Sequence, residues 1–239
     1  MNEIERYVQS VIHRIAPGIP GSARFESDLR SHLEERMRAG ESEFEAVARM
    51  GLSEEVARGF LDSVQPELAK PNERLGGFLF DVGLGAAALA ALAVLAAWWL
   101  TPRMTVDPPV TLEALVAAAV IVSILAAILY FPLFETLFGQ TAGKRVFGIV
   151  VAKETGERAG PGAAIVRRIP FFFDIWPFDA AFLLFTARRQ RAFDLAAKTI
   201  VIRAEGRRTR RPWVLVALLW AAVLSLGILT AVIVRALST

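Results

Sequence analysis

The sequence predicts a mainly α-helical, polytopic membrane protein with a small soluble helical module at its N-terminus. The stretch from Arg74 to Leu100 is apolar and long enough to cross a bilayer, which takes about 20 helical residues. The charge also changes sign along the chain. Residues 1–73 carry nine Lys/Arg and fourteen Asp/Glu, whereas residues 74–239 carry eighteen and ten. We therefore expect an acidic soluble module followed by a basic membrane module.

Residues 1–65 are the predicted soluble module, and residues 66–73 are a linker to the membrane module at residues 74–239. Apolar residues recur at helical spacing and predict a compact bundle of four short helices, over residues 1–15, 22–38, 42–50 and 53–64. Ser42 and Glu45 have the spacing of a capping box at the start of the third helix. The N-terminus lacks the basic and apolar regions of a signal peptide, so we expect it to lie in the cytoplasm.

The soluble module has a pattern of short motifs in its second and third helices. The residues that carry it are Asp28, Leu29, His32, Leu33, Gly40, Ser42, Ala46 and Gly51. This pattern resembles the HAAS-type signalling domain, a small helical module found beside membrane segments in bacteria. The resemblance favours a module that binds a cytoplasmic protein partner.

Three full transmembrane helices are predicted, over residues 74–100, 112–134 and 213–234. The first two form a hairpin through the short polar turn at residues 101–111. Basic residues precede the last span, at Arg207, Arg208, Arg210 and Arg211. They mark the cytoplasmic side of the membrane, and the alternative is that they also bind anionic lipids.

The segment from Ile169 to Ala187 is apolar and about as long as a span, but two prolines and two aspartates interrupt it. Arginines lie on both sides, and positive residues prefer the cytoplasmic face. A re-entrant or interfacial broken helix satisfies both ends better than a full span, since irregular backbone is tolerated where protein or water surrounds it.

Two β-branched runs, VFGIVVAK and KTIVIR, predict a small β-ribbon at the membrane surface. The first run follows Gly139–Arg145, a segment that we interpret as a turn-rich connection. Its GQTAGKR sequence lacks the spacing of a phosphate-binding loop, so nucleotide binding is not predicted.

Asp81 is the first candidate functional residue. It lies seven positions after Arg74, so the two side chains share one face of the first span, roughly 10 Å apart. A carboxylate inside an apolar span is energetically costly, and such residues normally face protein or water and carry function.

Charged and glycine residues follow one another in a distinctive order through the membrane module: Arg74, Gly77 and Asp81, then Gly139, Gln140, Thr141, Gly143, Lys144 and Arg145, then Arg168 with Asp174, and finally Arg191, Asp194, Ala197 and Thr199. This order resembles the RDD family of bacterial membrane proteins over residues 74–205. The resemblance implies that Arg74 is the family's arginine and Asp81 its first aspartate. Its second aspartate is either Asp174 or Asp194.

The resemblance also implies a location in the bacterial cytoplasmic (inner) membrane and a transport role, including sodium/proton exchange for some members. Two positions depart from the family pattern. Gly77 stands where the family usually has alanine, and Ala142 where it often has proline.

Two function hypotheses follow. In the first, the chain exchanges protons for a monovalent cation through a buried network whose candidates are Arg74, Asp81, Arg168, Asp174, Asp179 and Asp194. The same residues can instead form a fixed ionic lock. In the second, the chain is a membrane-anchored signalling or assembly protein whose residues 1–65 bind a partner. A stripe of small residues on the first span, including Gly83 and Ala87, favours a homo-oligomer.

Composition argues against several other classes. The chain has no cysteine and two histidines, and both histidines lie in the soluble module, so we predict no enzyme, no metal site and no cofactor. The arginine cluster at residues 207–211 adjoins a span and lacks interleaved aromatic residues, so we predict no nucleic-acid binding.

Overall fold

The structure is a computed structural model, and it describes residues 2–100, 121, 125, 128–173, 175–206 and 212–237. Side chains are described within these ranges except at residues 93–100, 176 and 227–237. The predicted turn at residues 101–111, most of the second span, Asp174 and the basic residues 207–211 lie outside the described residues.

The described chain is mainly helical, with one two-stranded sheet, which confirms the predicted class. The helices are α1 Glu3–Arg14, α2 Ser22–Arg38, α3 Glu43–Met50, α4 Ser53–Ser63, α5 Pro71–Leu100, α6 Ile128–Phe138, α7 Ala142–Phe147, α8 Pro161–Val166, α9 Ile169–Phe172, α10 Trp176–Phe185, α11 Ala192–Ala196 and α12 Pro212–Leu237. The strands are β1 Ile149–Lys153 and β2 Thr199–Arg203.

The four N-terminal helices form close to where periodicity predicts them, because local caps fix their ends. The side chain of Asn2 accepts a hydrogen bond from the backbone of Glu5 at 2.8 Å and starts α1. The predicted capping box of Ser42 and Glu45 is confirmed at the start of α3. Phe25 of α2 stacks on a ring of α4 at 4.3 Å between ring centroids. The apolar faces of α1, α2 and α4 therefore share one core.

The predicted β-ribbon is confirmed, and both of its faces are covered. Strands β1 and β2 pair in antiparallel register, with Ile149 opposite Arg203. Side chains alternate between the two faces of a strand. One face packs into the core of α1–α4, through Val150, Ala152, Ile200 and Ile202. The other face packs towards α5 and α12, through Ile149, Val151 and Val201.

The segment predicted as a linker runs beside β2. The backbone of Ala69 donates to the carbonyl of Val201 at 2.9 Å, and the backbone of Arg203 donates to the carbonyl of Glu67 at 2.8 Å. These bonds fix the start of α5 relative to the ribbon.

Helix α5 is the centre of the membrane module and packs on α7 and α12. Trp220 of α12 donates its indole N–H to the carbonyl of Leu79 at 3.2 Å. A Cβ at Gly83 would lie 3.0 Å from Leu219, so part of the small-residue stripe contacts α12 of the same chain, whereas Gly85 has no such neighbour within 4 Å. The homo-oligomer stays a prediction.

Among the described residues, one helical stretch is long and apolar enough to cross a membrane, namely Pro71–Leu92 of α5. Ile128–Phe138 and Pro212–Leu226 are apolar but shorter within that described part. The count of three full spans therefore stays a prediction.

The segment from Ile169 to Ala187 forms two short helices, α9 and α10, with a break between them. Neither helix is long enough to cross a bilayer. Their exposed surface is strongly apolar, with Phe172, Phe173, Phe178, Leu184 and Phe185 all more than half exposed. Apolar patches of this kind mark contacts with lipid or protein, which supports the predicted re-entrant or interfacial placement.

Candidate functional site: two buried carboxylate centres on one cavity

The first centre is the carboxylate of Asp194 in α11, which is fully buried. Three arginines donate to it: Arg74 at 2.9 Å, Arg167 at 2.7 Å and Arg191 at 3.2 Å. Burial alone would raise the pKa of this carboxyl, but Arg167, Arg191 and Arg74 together hold it well below its ordinary value. Asp194 is therefore permanently charged and ties α5 to α11.

Glu135 extends this centre from the end of α6. Its fully buried carboxylate accepts from Arg167 at 2.6 Å and from Arg168 at 2.7 Å, and it pairs with the ammonium group of Lys144. Because Arg167 also contacts Asp194, its guanidinium bridges the two carboxylates. Burial lowers the pKa of Arg167, but Glu135 and Asp194 raise it above its ordinary value overall.

Lys144 is the one member of this group whose charge is weakly held. Its pKa is lowered to about 7, mainly by burial and also by the nearby Arg167 and Arg168, against the opposing effect of Glu135. Its side chain is 14% exposed. Lys144 can therefore change its protonation state near neutral pH.

Asp179 in α10 completes the charged centre at its edge. Its carboxylate lies 3.5 Å from Arg191 and accepts the backbone N–H of Phe193 at 2.8 Å. These contacts attach α10 to α11.

The second centre is Asp81, and its partners are of a different kind. The hydroxyl of Thr141 donates to it at 2.5 Å, the backbone N–H of Gly143 at 2.7 Å and the hydroxyl of Tyr130 at 3.0 Å. No cation among the described residues forms an ion pair with Asp81, which is 5% exposed. Neutral donors alone therefore hold this carboxylate.

Two of the three donors to Asp81, Thr141 and Gly143, belong to a short helix and its cap that the sequence did not predict, and the third, Tyr130, lies on α6. Residues 142–147 form α7, and Thr141 caps it through a 3.4 Å bond from the backbone of Lys144. A Cβ at Gly143 would lie 2.0 Å from the carbonyl oxygen of Gly77, so only glycine permits this approach of α7 to α5. The expected turn is instead a helix, because contacts with α5 and Asp81 stabilise it.

One cavity of about 190 Å³ beside α5 is lined by Asp81 and by the basic residues of the first centre, whereas the carboxylates of Asp194 and Glu135 lie behind those residues and do not line it. Its charged lining residues are Arg74, Asp81, Lys144, Arg167, Arg168 and Arg191. Its apolar wall includes Leu75, Phe78, Phe131, Phe171 and Leu183. Arg74 and Asp81 thus face the same space, as their seven-residue spacing predicts.

The structure brings five of the six predicted site residues into this region, and the sixth, Asp174, lies outside the described residues. Arg74 pairs with Asp194, whereas Arg168 pairs with Glu135. Sequence reasoning missed six partners, namely Tyr130, Glu135, Thr141, Lys144, Arg167 and Arg191. The signal that selected Asp81, a carboxylate inside an apolar run, is weaker for Glu135, which lies at the end of such a run.

The fold and these two centres define a mainly helical protein built around buried ionic contacts. The chain belongs to the RDD family: the model of that family matches residues 68–198, more than half of the 239 residues. Membership is consistent with a membrane protein, in agreement with the apolar stretch of α5. The match does not include residues 1–67, so the HAAS-like resemblance stays a prediction. No curated protein and no solved structure matches the chain.

Proposed function

We propose that the chain is a membrane transport protein in which Asp81 gains and releases the transported proton. The observation that carries this proposal is the contrast between the two centres on one cavity. Cations hold Asp194 and Glu135, whereas hydroxyl and backbone groups hold Asp81. Carboxylates paired with arginines resist protonation, and Asp81 has no arginine partner among the described residues.

The partners of Asp81 suit a group with two protonation states. A hydroxyl both donates and accepts hydrogen bonds and can rotate between the two roles. Thr141 and Tyr130 can therefore donate to a charged Asp81, and either can accept the proton of a neutral one. An arginine has no such second role. The centre around Asp194 and Glu135 is then a fixed lock that holds the cavity walls.

The geometry supports the proton part of a cation/proton exchange better than the cation part. Basic side chains dominate the charged lining of the cavity, and like charges repel an entering sodium ion. The proposed location is the bacterial inner membrane with the N-terminus in the cytoplasm, which the arginines at residues 188–191 and 207–211 support.

The test is proton movement in liposomes that contain the purified full-length chain and an internal pH dye. Sodium, lithium or potassium is added outside, with and without an imposed pH gradient. We expect proton movement in the wild type and its loss in Asp81→Asn. The matched control is Asp62→Asn, since Asp62 is an exposed carboxylate of α4. Equal proton movement in Asp81→Asn and wild type would overturn the proposal.

A second candidate function is a membrane-anchored signalling or assembly protein. Phe44 and Leu52, at the two ends of α3, are 71% and 68% exposed, which favours a partner-binding surface on the N-terminal helices. Deleting residues 1–65 is a poor test, because it would uncover the apolar face of the ribbon. Phe44→Ser with Leu52→Ser in the full-length chain is cleaner. If the chain has this function, the double variant should lose a cross-linked complex in cells, whereas Asp81→Asn should keep it. A complex that persists in the double variant as well contradicts the signalling or assembly function.

A further inference from the structure

Two arginines present unused donors at the cavity. Nε and Nη2 of Arg74 and Nε of Arg168 are buried without a hydrogen-bond partner among the described residues. The two side chains are only 10% and 11% exposed. Buried donors in folded proteins nearly always have a partner. The cavity beside these two arginines is therefore a place where an acceptor is missing.

The contacts that hold Arg168 leave its Nε without a hydrogen-bond partner among the described residues. Its guanidinium carbon lies 3.9 Å from the centre of the Phe131 ring, so one flat face stacks on an aromatic side chain. One end of the group donates to Glu135 at 2.7 Å. Nε of the same guanidinium is buried and has no hydrogen-bond partner among the described residues. A carboxylate or phosphate oxygen suits this geometry, since guanidinium groups bind oxyanions through in-plane N–H groups.

The charge of the region favours an anion. Among the described residues of the first centre, five basic side chains face three carboxylates: Arg74, Lys144, Arg167, Arg168 and Arg191 against Glu135, Asp179 and Asp194. With Lys144 protonated two positive charges remain, of which Asp81 offsets one; with Lys144 neutral, one remains and Asp81 offsets it. Protonation of Asp81 would remove that offset, so anion binding and proton uptake favour each other.

The rest of the cavity lining is apolar, and part of it is exposed at the surface of the chain. Leu75 and Phe171 lie on the wall and are 54% and 40% exposed. The volume of about 190 Å³ is below the roughly 300–1,000 Å³ of pockets that enclose a drug-sized ligand. The cavity therefore fits a headgroup and the first carbons of a chain, with the remaining chain on the apolar surface outside.

We propose that this cavity binds an acidic amphiphile, with an oxyanion headgroup on Arg74 and Arg168 and an acyl chain along Leu75, Phe131 and Phe171. The inference rests on the proposed transport function and names its substrate class. The headgroup is a carboxylate or a phosphate, carried by a free fatty acid or by a membrane phospholipid. Protonation of Asp81 accompanies binding of the headgroup.

The test measures binding to the full-length chain in nanodiscs of phosphatidylcholine by native mass spectrometry. The probes are oleate, oleyl alcohol as its uncharged analogue, and phosphatidylglycerol. We expect one oleate or one phosphatidylglycerol per chain, and at least tenfold weaker binding of oleyl alcohol. Saturation by oleate alone identifies a fatty acid, and saturation by phosphatidylglycerol alone identifies a phospholipid. Equal binding of oleate and oleyl alcohol would overturn the proposal.

The variants locate the site. Arg168→Lys keeps a cation near Glu135 but removes Nε, and we expect about tenfold weaker binding, equivalent to one charged hydrogen bond. Arg158→Lys is the matched control, because Arg158 also has an Nε without a partner but lies outside the cavity. A chain with glutamine at positions 207, 208, 210 and 211 should bind as the wild type does. Loss of binding in that chain, with Arg168→Lys unaffected, would overturn the proposal in favour of a surface lipid contact.

The two proposals fail separately. Proton movement that depends on Asp81, without binding of either anionic probe, overturns the amphiphile site and leaves the transport function standing. Binding that depends on Arg168, without proton movement, supports the headgroup site and overturns the transport function. Circular dichroism and size-exclusion profiles equal to wild type establish that each variant is folded.

Discussion

Asp194 and Asp81 are both buried carboxylates, but their hydrogen-bond partners differ: Asp81 lines the cavity, whereas Asp194 lies behind the arginines that line it. Asp194 is fully buried and lies within 3.2 Å of three arginines. Asp81 is 5% exposed, and within the part of the chain that the structure describes its donors are hydroxyl and backbone groups. The difference teaches that burial alone does not define a proton-carrying group. Two properties of its partners matter: their charge, and whether they can both donate and accept hydrogen bonds. We propose that these properties decide whether a buried carboxylate stays ionised in a fixed contact or exchanges a proton.

The largest effect on the free energy of unfolding should come from removing the carboxylate of Asp194. Asp194→Asn leaves Arg74, Arg167 and Arg191 without their shared carboxylate, and removing one partner of a buried ion pair costs about 3–5 kcal/mol. Asp81→Asn loses hydrogen bonds to neutral donors, at about 1–3 kcal/mol. Thermal and denaturant unfolding in detergent measure both. If Asp81→Asn destabilises the chain as much as Asp194→Asn, the distinction between the two carboxylates is wrong.

Gly143→Ala should disturb the Asp81 centre alone. The new Cβ would lie 2.0 Å from the carbonyl oxygen of Gly77 and 3.0 Å from the carboxyl carbon of Asp81, so α7 has to move away from α5. We expect a loss of about 1–3 kcal/mol together with the loss of proton movement. Gly162→Ala is the control, because a Cβ at Gly162 meets nothing within 4 Å. An unchanged unfolding midpoint for Gly143→Ala would show that the close approach does not exist.

Lys144 lies between the two centres, and its titration should appear in the pH dependence of stability. Its pKa is about 7 in the folded chain and near its ordinary value of 10.5 when unfolded. The unfolded chain therefore holds more protons in this window, and stability rises with pH, by about 2 kcal/mol between pH 7 and 9. Neighbouring Glu135, Arg167 and Arg168 stay charged throughout this range.

The measurement compares the wild type with Lys144→Gln across that range. The difference between their unfolding free energies should change between pH 7 and 9 and level off above about pH 10.5, the ordinary lysine value. A constant difference across this range would mean that Lys144 keeps its proton in the folded chain.

The smallest expected effect is an increase in the stability of the folded chain. Gly77→Ala places a Cβ 3.4 Å from the backbone of Gly143 and Lys144, which is ordinary van der Waals contact. Alanine within a helix is more stable than glycine by about 0.5–1 kcal/mol, so the unfolding midpoint should rise slightly. A fall in the midpoint would indicate that α5 and α7 pack more tightly than the structure shows.

The sequence predicts Asp81 better than it predicts the ionic contacts around Asp194 and Glu135. Asp81 interrupts an apolar helix, and the energetic cost of that position makes it visible without a structure. Arg167 and Glu135 do not stand out in the same way. Each lies at the end of a segment, where a charge is equally well explained by membrane topology. Their pairing joins residues 32 positions apart, and no local pattern records such a contact.

The structure of α7 and the packing of the ribbon also depend on long-range contacts that local sequence patterns do not record. The helices at residues 22–38 and 53–63 follow from periodicity and caps, because those signals are local. Residues 142–147 contain a glycine and were expected to form a turn, but contacts with α5 make them helical. The β-branched runs predict the strands, but they do not say that α1–α4 would cover one face.

The shared ribbon has a consequence for how the chain is made. The N-terminal helices close their core on Ile200 and Ile202, which leave the ribosome about 140 residues after α4. At roughly 5–20 residues per second, this apolar face stays open for roughly 7–28 s during translation. All of α5 is therefore synthesised while the core of the N-terminal helices is still incomplete. The last strand then joins the two parts, so the finished N-terminal fold reports that the membrane module has already been synthesised as far as Arg203.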